Sequence, residues 1–291
     1  MAESALQRAR RGAPLRPPPP RGQGSAPLVP GVEDIQRGFE LPLEERAVLD
    51  STVRLFTFPE GSEDPARTVV CLPGMGASGR SFALQRPLAR ELRLLLWTPP
   101  LHSPLTHTPL AWNLRVLASE EARLPPRFAL LGSSFGSLVA LTFALQHPER
   151  VSALVLVSPV ATVRRIRRVA LSLSTLVRAP MPLTYLFAPL VARILGGLHL
   201  PAEGRAEIVR EARRITPGEM LRRLKDVLSA DLVPQAAAHA VQAAIPGARL
   251  ALLPRASHLP YMSHPQELNA AVGDFLREHL PLGALPDVAA P

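Results

Sequence analysis

Arg127-Phe128-Ala129-Leu130-Leu131-Gly132-Ser133-Ser134-Phe135-Gly136-Ser137-Leu138-Val139-Ala140 decides how this chain is read. An apolar strand pattern runs straight into Gly-x-Ser-x-Gly, and a helical pattern follows. That order is the context of a nucleophile elbow, in which a serine sits on a sharp strand-to-helix turn. Glycines at 132 and 136 let neighbouring backbone pass close to the serine. The helix N-terminus behind it favours developing negative charge. Ser134 is therefore the nucleophile candidate. The motif alone is common in any chain rich in small residues; its place between a strand and a helix gives it weight.

Working outward, the apolar runs repeat. Ser51–Phe58 alternates and predicts a strand, and Thr68–Leu72 and Leu92–Thr98 predict two more. Phe128–Leu131 and Val151–Val157 add a further pair of buried strands, and Ala248–Leu253 another. Helical patterns fall at Ser81–Glu91, Ala111–Glu121, Phe135–Gln146, Pro234–Ala244 and Pro265–His279, with a short helical segment at Leu43–Val48. Buried strands alternating with helices predict an α/β fold, a mostly parallel sheet covered on both faces. Residues 161–230 differ: they are helical, arginine-rich and broken by prolines, and predict a helical lid over one end of the sheet. The expected organisation is a disordered Pro/Arg-rich tail over 1–30, a core over 31–160 and 231–282, and the lid over 161–230.

The 291 residues suffice for one large domain, and the formal net charge is +9. The excess is local: residues 161–225 hold twelve arginines and one lysine against four glutamates. Such a surplus attracts anions, but no nucleic-acid module accompanies it. Cys71 is the single cysteine, which excludes an internal disulfide and a thiolate metal cluster. The histidines have no metal-ligand spacing, and neither a phosphate loop nor a dinucleotide fingerprint occurs, so no metal or cofactor is expected. No apolar run is long enough to span a bilayer, and no signal peptide is recognisable. A cytoplasmic enzyme acting on a small molecule, without nucleic-acid binding or stable membrane insertion, is the expectation.

Three landmarks in order carry a family resemblance: Leu72-Pro73-Gly74-Met75-Gly76 after a strand, the elbow at Ser134 continued by Gln146-His147-Pro148-Glu149-Arg150, and Leu253-Pro254-Arg255-Ala256-Ser257-His258 followed by a terminal helix. Over roughly residues 53–280 the chain resembles the lid-bearing members of the α/β-hydrolase superfamily, with Ser257 where glycine is usual. The resemblance implies an oxyanion hole from the N–H groups of Met75 and Phe135 and a catalytic histidine at His258. His264, before Pro265, reads as a helix-start residue, and His102 and His107 lie in the loop after a strand. The family's acid is less plain. It normally ends an apolar strand ahead of a Val-Pro helix start. Here Val233-Pro234 is present, but the strand, the last but one of the fold, is missing or reduced to Val227-Leu228. Asp231 takes the acid position if that strand is compressed, and Asp226 is the nearest competitor. If the strand is absent, so is the acid.

Serine needs a base within hydrogen-bond reach, and a neutral histidine meets that need. A carboxylate then fixes the histidine tautomer. The expected activity is a serine hydrolase cleaving a small-molecule ester or related acyl compound. The alternatives are an acyltransferase and a non-catalytic or weakly active binding protein on the same fold.

Overall fold

In the computed structural model of the chain, residues 40–120, 123–159, 200–229, 247–254 and 256–280 are described. The chain divides into two compact units, Met1–Gly31 and Val32–Pro291, and every described residue belongs to the second. The tail expected over 1–30, the helix over 234–244 and Asp231 lie outside the described residues, as does much of the lid.

Six strands form one sheet: β1 (Leu43–Val48), β2 (Ser51–Phe56), β3 (Thr68–Leu72), β4 (Arg93–Thr98), β5 (Phe128–Ser133) and β6 (Val151–Val157), in the order β1-β2-β4-β3-β5-β6. The two pairings involving β2 are antiparallel, and β4, β3, β5 and β6 run parallel. Every residue of β3 and β5 is buried. Side chains alternate between two cores: Val69 and Cys71 of β3 enter one, Val70 and Leu72 the other. The same holds for β4, with Leu94 and Leu96 on one face and Leu95 and Trp97 on the other. Continuous apolar runs therefore mark strands covered on both sides.

Helices supply the covering layers. Short α1 (Arg86–Ala89), short α6 (Pro260–Ser263) and long α7 (Pro265–His279) pack on one face, where Leu268, Val272 and Leu276 of α7 join the core. On the other face, α2 (Pro109–Ala118) and α3 (Phe135–Gln146) contribute Trp112, Leu117, Leu138 and Phe143. Pro109 starts α2 behind Thr108, whose hydroxyl accepts from the Ala111 N–H. Such a cap satisfies one of the donors a helix start leaves unpaired.

Two expectations need correction. Leu43–Val48 is a strand, not a helix: it pairs residue by residue with β2, from Leu43 opposite Phe56 to Val48 opposite Ser51. The helix-forming Leu-Glu-Glu-Arg-Ala composition yields to cross-strand pairing, and Leu49 turns the chain with φ 51°. Ala248–Leu253 is not a strand among the described residues, and Leu252 is 65% exposed. Periodicity proposes a strand, but only a partner edge makes one.

Within the expected lid, residues 200–229 carry α4 (Ala202–Ala212) and α5 (Pro217–Ser229). Val227-Leu228 thus belongs to a helix rather than to a compressed strand. Both helices are fastened to the core by buried charge. Glu211 of α4 receives two hydrogen bonds from Arg54 of β2, at 3.3 and 2.5 Å, and Glu207 accepts from Ser78 Oγ at 2.7 Å. Glu219 of α5 accepts from Ser103 Oγ at 2.9 and 3.0 Å. Arg223 donates to the Pro100 carbonyl at 2.5 Å, and Arg222 to the carbonyls of Ser103 and Pro104 at 2.7 and 2.9 Å. Charged side chains seldom bury fully unless paired in this way.

Candidate active site

The elbow is built where β5 meets α3. Ser134 adopts φ 52° and ψ −115°, a conformation seldom held by a residue with a side chain. Such strain costs of order ~1–3 kcal/mol and persists where surrounding structure enforces it. Here the Ser134 N–H donates to the Val157 carbonyl at 3.1 Å, and Ser137 Oγ ties the Gly132 and Val157 carbonyls together at 2.8 and 3.1 Å. The turn also demands close packing. A Cβ on Gly136 would stand 2.0 Å from the Leu72 carbonyl oxygen, and one on Gly132 would stand 2.4 Å from that of Gly136. The two motif glycines therefore let α3 pass beside the end of β3.

His258 comes from the loop ahead of α6. Its Nε2 lies 3.0 Å from Ser134 Oγ, across 124 residues of sequence. Neighbouring groups brace this loop: Ser257 Oγ accepts from the Leu259 N–H at 3.3 Å and lies 3.2 Å from Ser263 Oγ, and Gln85 Nε2 donates to the Tyr261 carbonyl at 2.9 Å. The Tyr261 ring is buried against Phe82, and burial pushes its phenol up to about 12. Ser257, which departs from the family's glycine, thus supplies a loop hydrogen bond. Sequence reading had no signal for the Gln85 and Tyr261 braces, since both join positions far apart in the chain.

Burial pushes the His258 imidazole below its ordinary pKa, because the charged form loses water. Among the described residues no carboxylate contributes to that shift, and none pairs with Nδ1. Asp226 is engaged elsewhere: its carboxylate accepts from the Leu110 N–H at 2.6 Å, at the start of α2, and burial raises its pKa. His264 caps the start of α7, with Nδ1 3.0 Å from Ser263 Oγ. His102 is exposed, and His107 packs against the Trp112 ring at 5.3 Å.

The loop after β3 lies against the elbow. A Cβ on Gly74 would meet the Ser134 Cβ at 3.4 Å. Gly76 turns the loop with φ +82°, and a Cβ there would meet Met220 Cε of α5 at 3.0 Å and Ala212 Cβ of α4 at 3.9 Å. Half-buried Met75 packs at the edge of the core containing Phe135. Neither the Met75 nor the Phe135 N–H takes part in a backbone hydrogen bond among the described residues. Cys71, one strand residue before this loop, is fully buried, and burial pushes its thiol well above the usual range. Among the described residues no group of three or more His, Cys, Asp or Glu side chains is placed to hold a metal.

The sheet order and this site define an α/β hydrolase, and residues 69–271, well over half of the chain, match the alpha/beta hydrolase family; the chain belongs to it. A 109-residue stretch is 37% identical to a probable 1-acylglycerol-3-phosphate O-acyltransferase of Oryza sativa subsp. japonica; it covers 34% of this chain and only 26% of that protein. Over 241 residues the chain is 28% identical to a pimeloyl-[acyl-carrier protein] methyl ester esterase of Aeromonas hydrophila, covering 72% of this chain and 94% of the relative. Among solved structures, a hydrolase from Pseudomonas aeruginosa PA01 superposes with a TM-score of 0.68 at 22% identity, over 80% of this chain and 98% of that one. No described helix is long and apolar enough to cross a membrane.

Proposed function

We propose that the protein is a serine hydrolase that cleaves a small-molecule carboxylic ester, or a related acyl compound, through an acyl-enzyme on Ser134. The observation that carries this reading is the 3.0 Å contact between Ser134 Oγ and His258 Nε2 on a strained elbow. Neutral His258 takes the Ser134 proton as Oγ attacks the acyl carbon, then returns it to the leaving alcohol. Water repeats the sequence in reverse and frees Ser134. The N–H groups of Met75 and Phe135 serve the oxyanion, a type of contact whose loss costs about 10²–10³ in kcat. Depression of the His258 pKa keeps the imidazole neutral and ready to accept a proton at neutral pH. Asp231 is assigned to orient His258 Nδ1, and the cytoplasm is the proposed compartment.

Labelling of the purified protein by a fluorophosphonate probe tests the reading. Wild type should label and hydrolyse p-nitrophenyl acetate or butyrate, and Ser134→Ala should lose both while keeping its circular dichroism spectrum. Hydrolysis by the variant at the wild-type rate would end the assignment. A second reading rests on the sequence, in which the strand that should present the acid is not plain. It makes the chain a non-catalytic or weakly active binding protein on a hydrolase fold, and forecasts a wild type that labels and turns over poorly or not at all. Acyl transfer to an alcohol other than water uses the same acyl-enzyme; added glycerol or methanol would then yield a transesterified product in preference to free acid.

A further inference from the structure

The stretch that carries the Met75 N–H is a tight turn held at both ends. The Ala77 N–H donates to the Gly74 carbonyl at 3.1 Å, and Gly76, at the third position, has φ +82°. A type II turn needs that left-handed third residue. The start of the turn rests on the elbow, where Gly74 lies against Ser134. Its far end runs through Ser78 into the 3₁₀ segment Gly79–Gln85. There the Gly79 N–H donates to Thr98 Oγ1 of β4 at 2.8 Å.

Ser78 departs from what its position predicts. A serine ahead of a helical segment normally accepts from an N–H of the first turn. The Ser78 side chain caps nothing in its own segment. It is fully buried, and its Oγ donates instead to Glu207 Oε1 of α4 at 2.7 Å, 129 residues away. Glu207 is buried too, and Arg210 pairs with its other oxygen. Burying a carboxylate is costly, and apolar side chains of similar volume often pack as well or better. An apolar side chain, however, cannot fix the direction of a hydroxyl on the loop. The same helix touches the turn a second time, since a Cβ on Gly76 would stand 3.9 Å from Ala212 Cβ. The turn is thus held by the elbow on one side and by α4 on the other.

We propose that Glu207 is a positioning residue: through Ser78 it sets the aim of the Gly74–Ser78 turn, and so of the Met75 N–H at the oxyanion. The assignment rests on the serine-hydrolase reading. A donor aimed at charge that develops only in the transition state contributes there and not to substrate binding. Its loss therefore lowers kcat and kcat/KM together and leaves KM nearly unchanged. Hydrolysis of p-nitrophenyl butyrate is measured for wild type, Ser78→Ala, Glu207→Leu, their combination and Glu207→Gln, with active sites counted by fluorophosphonate titration. Ser78→Ala and Glu207→Leu should each lower kcat about tenfold to a hundredfold, the scale of a misplaced catalytic group. The double variant should lose no more than either single one, because both changes break the same link. Glu207→Gln keeps an oxygen acceptor for Ser78 and should recover most of the rate. Ser134 Oγ adds to the carbonyl carbon of a trifluoromethyl ketone, whose π electrons move to oxygen while the serine proton passes to His258. The inhibition constant of this oxyanion-forming probe should rise by the factor that kcat falls. Should Glu207→Leu fail to fold, Ser78→Ala, the smaller change, carries the comparison. Wild-type kcat in these variants, or a loss of rate matched by a loss of titratable sites, overturns the assignment and leaves the hydrolase reading standing. A wild type that neither labels nor hydrolyses removes the hydrolase reading and this assignment with it.

Discussion

Glu211→Ala should destabilise the protein by about 3–5 kcal/mol, the usual cost of removing one partner from a buried ion pair. The large value follows from Arg54, whose side chain is 5% exposed and takes Glu211 at both nitrogens. Once the carboxylate is gone, the guanidinium stays under α4 with neither water nor an opposite charge. Arg214 and Arg80 then face it as like charges. Removing both charged partners should cost much less: Arg54→Met with Glu211→Leu exchanges the pair for apolar contact and leaves no orphaned charge. For a domain of this size each kcal/mol moves the melting temperature by about 2–4 °C, so the single variant should melt roughly 6–20 °C below wild type and the double variant much closer to it. Differential scanning calorimetry on Arg54→Met, Glu211→Leu, their combination and wild type closes the cycle, with Glu211→Ala measured beside it. A Glu211→Ala protein melting within about 2 °C of wild type would refute the reasoning, since a pair that rigid cannot be removed so cheaply. Equal losses in the single and double variants would instead assign the stability to the shape of the side chains.

The pH dependence of hydrolysis follows from His258. Its folded pKa lies below the ordinary value of ~6.5, so the base stays neutral to lower pH, and the acid limb of kcat/KM should fall below that value; a limb at or above pH 7 would contradict this origin. The same shift sets a sign for stability: the unfolded chain protonates this histidine first, so stability present above pH ~6.5 is lost as pH falls through the folded pKa. Thermal scans between pH 7.5 and 5 should show the melting temperature dropping for wild type more than for His258→Gln. Asp231→Asn should lower kcat by orders of magnitude with an unchanged melting temperature if this residue orients the imidazole; the loss of about 10⁴ from the same change in a protease triad sets the scale. A variant with wild-type kcat would remove Asp231 from the mechanism.

Strands were most legible in the sequence where apolar residues run on without interruption by charge. Thr68–Leu72, buried throughout, and Val151–Val157, half-buried along most of its length, are strands at the boundaries their apolar runs suggest, because a strand inside a covered sheet carries apolar residues on both faces. Phe135–Gln146 is a helix between the same two residues, set by the elbow before it and His147-Pro148 after it. Legibility failed at the edges. Leu43–Val48 has a helix-forming composition and became a strand because β2 offers a free edge, which no local pattern reveals. Ala248–Leu253 is an apolar run broken only by Arg249, and it is not a strand among the described residues. In both places the deciding term is a partner remote in sequence.

The candidate site divides along the same line. Ser134 could be found from its neighbours because the elbow is a local backbone device: the glycines at 132 and 136 and the strain at Ser134 all lie within five residues. His258 needed the order of landmarks as well, since its distance from Ser134 is set by the whole sheet. The lid was harder to interpret, because the twelve arginines of residues 161–225 suggested only a positive surface. Among the described residues the charge is sorted: Glu207, Glu211 and Glu219 turn inward to Ser78, Arg54 and Ser103, and Arg210 and Arg213 are left exposed along α4 and its end. Glu207 and Glu211, which help hold the helices over the loop at Gly76, are buried, so of the carboxylates of α4 only half-buried Glu203 is left with the exposed arginines. Clamping the lid and exposing a cationic face are thus two consequences of one arrangement of charge, and Glu211→Ala disturbs both.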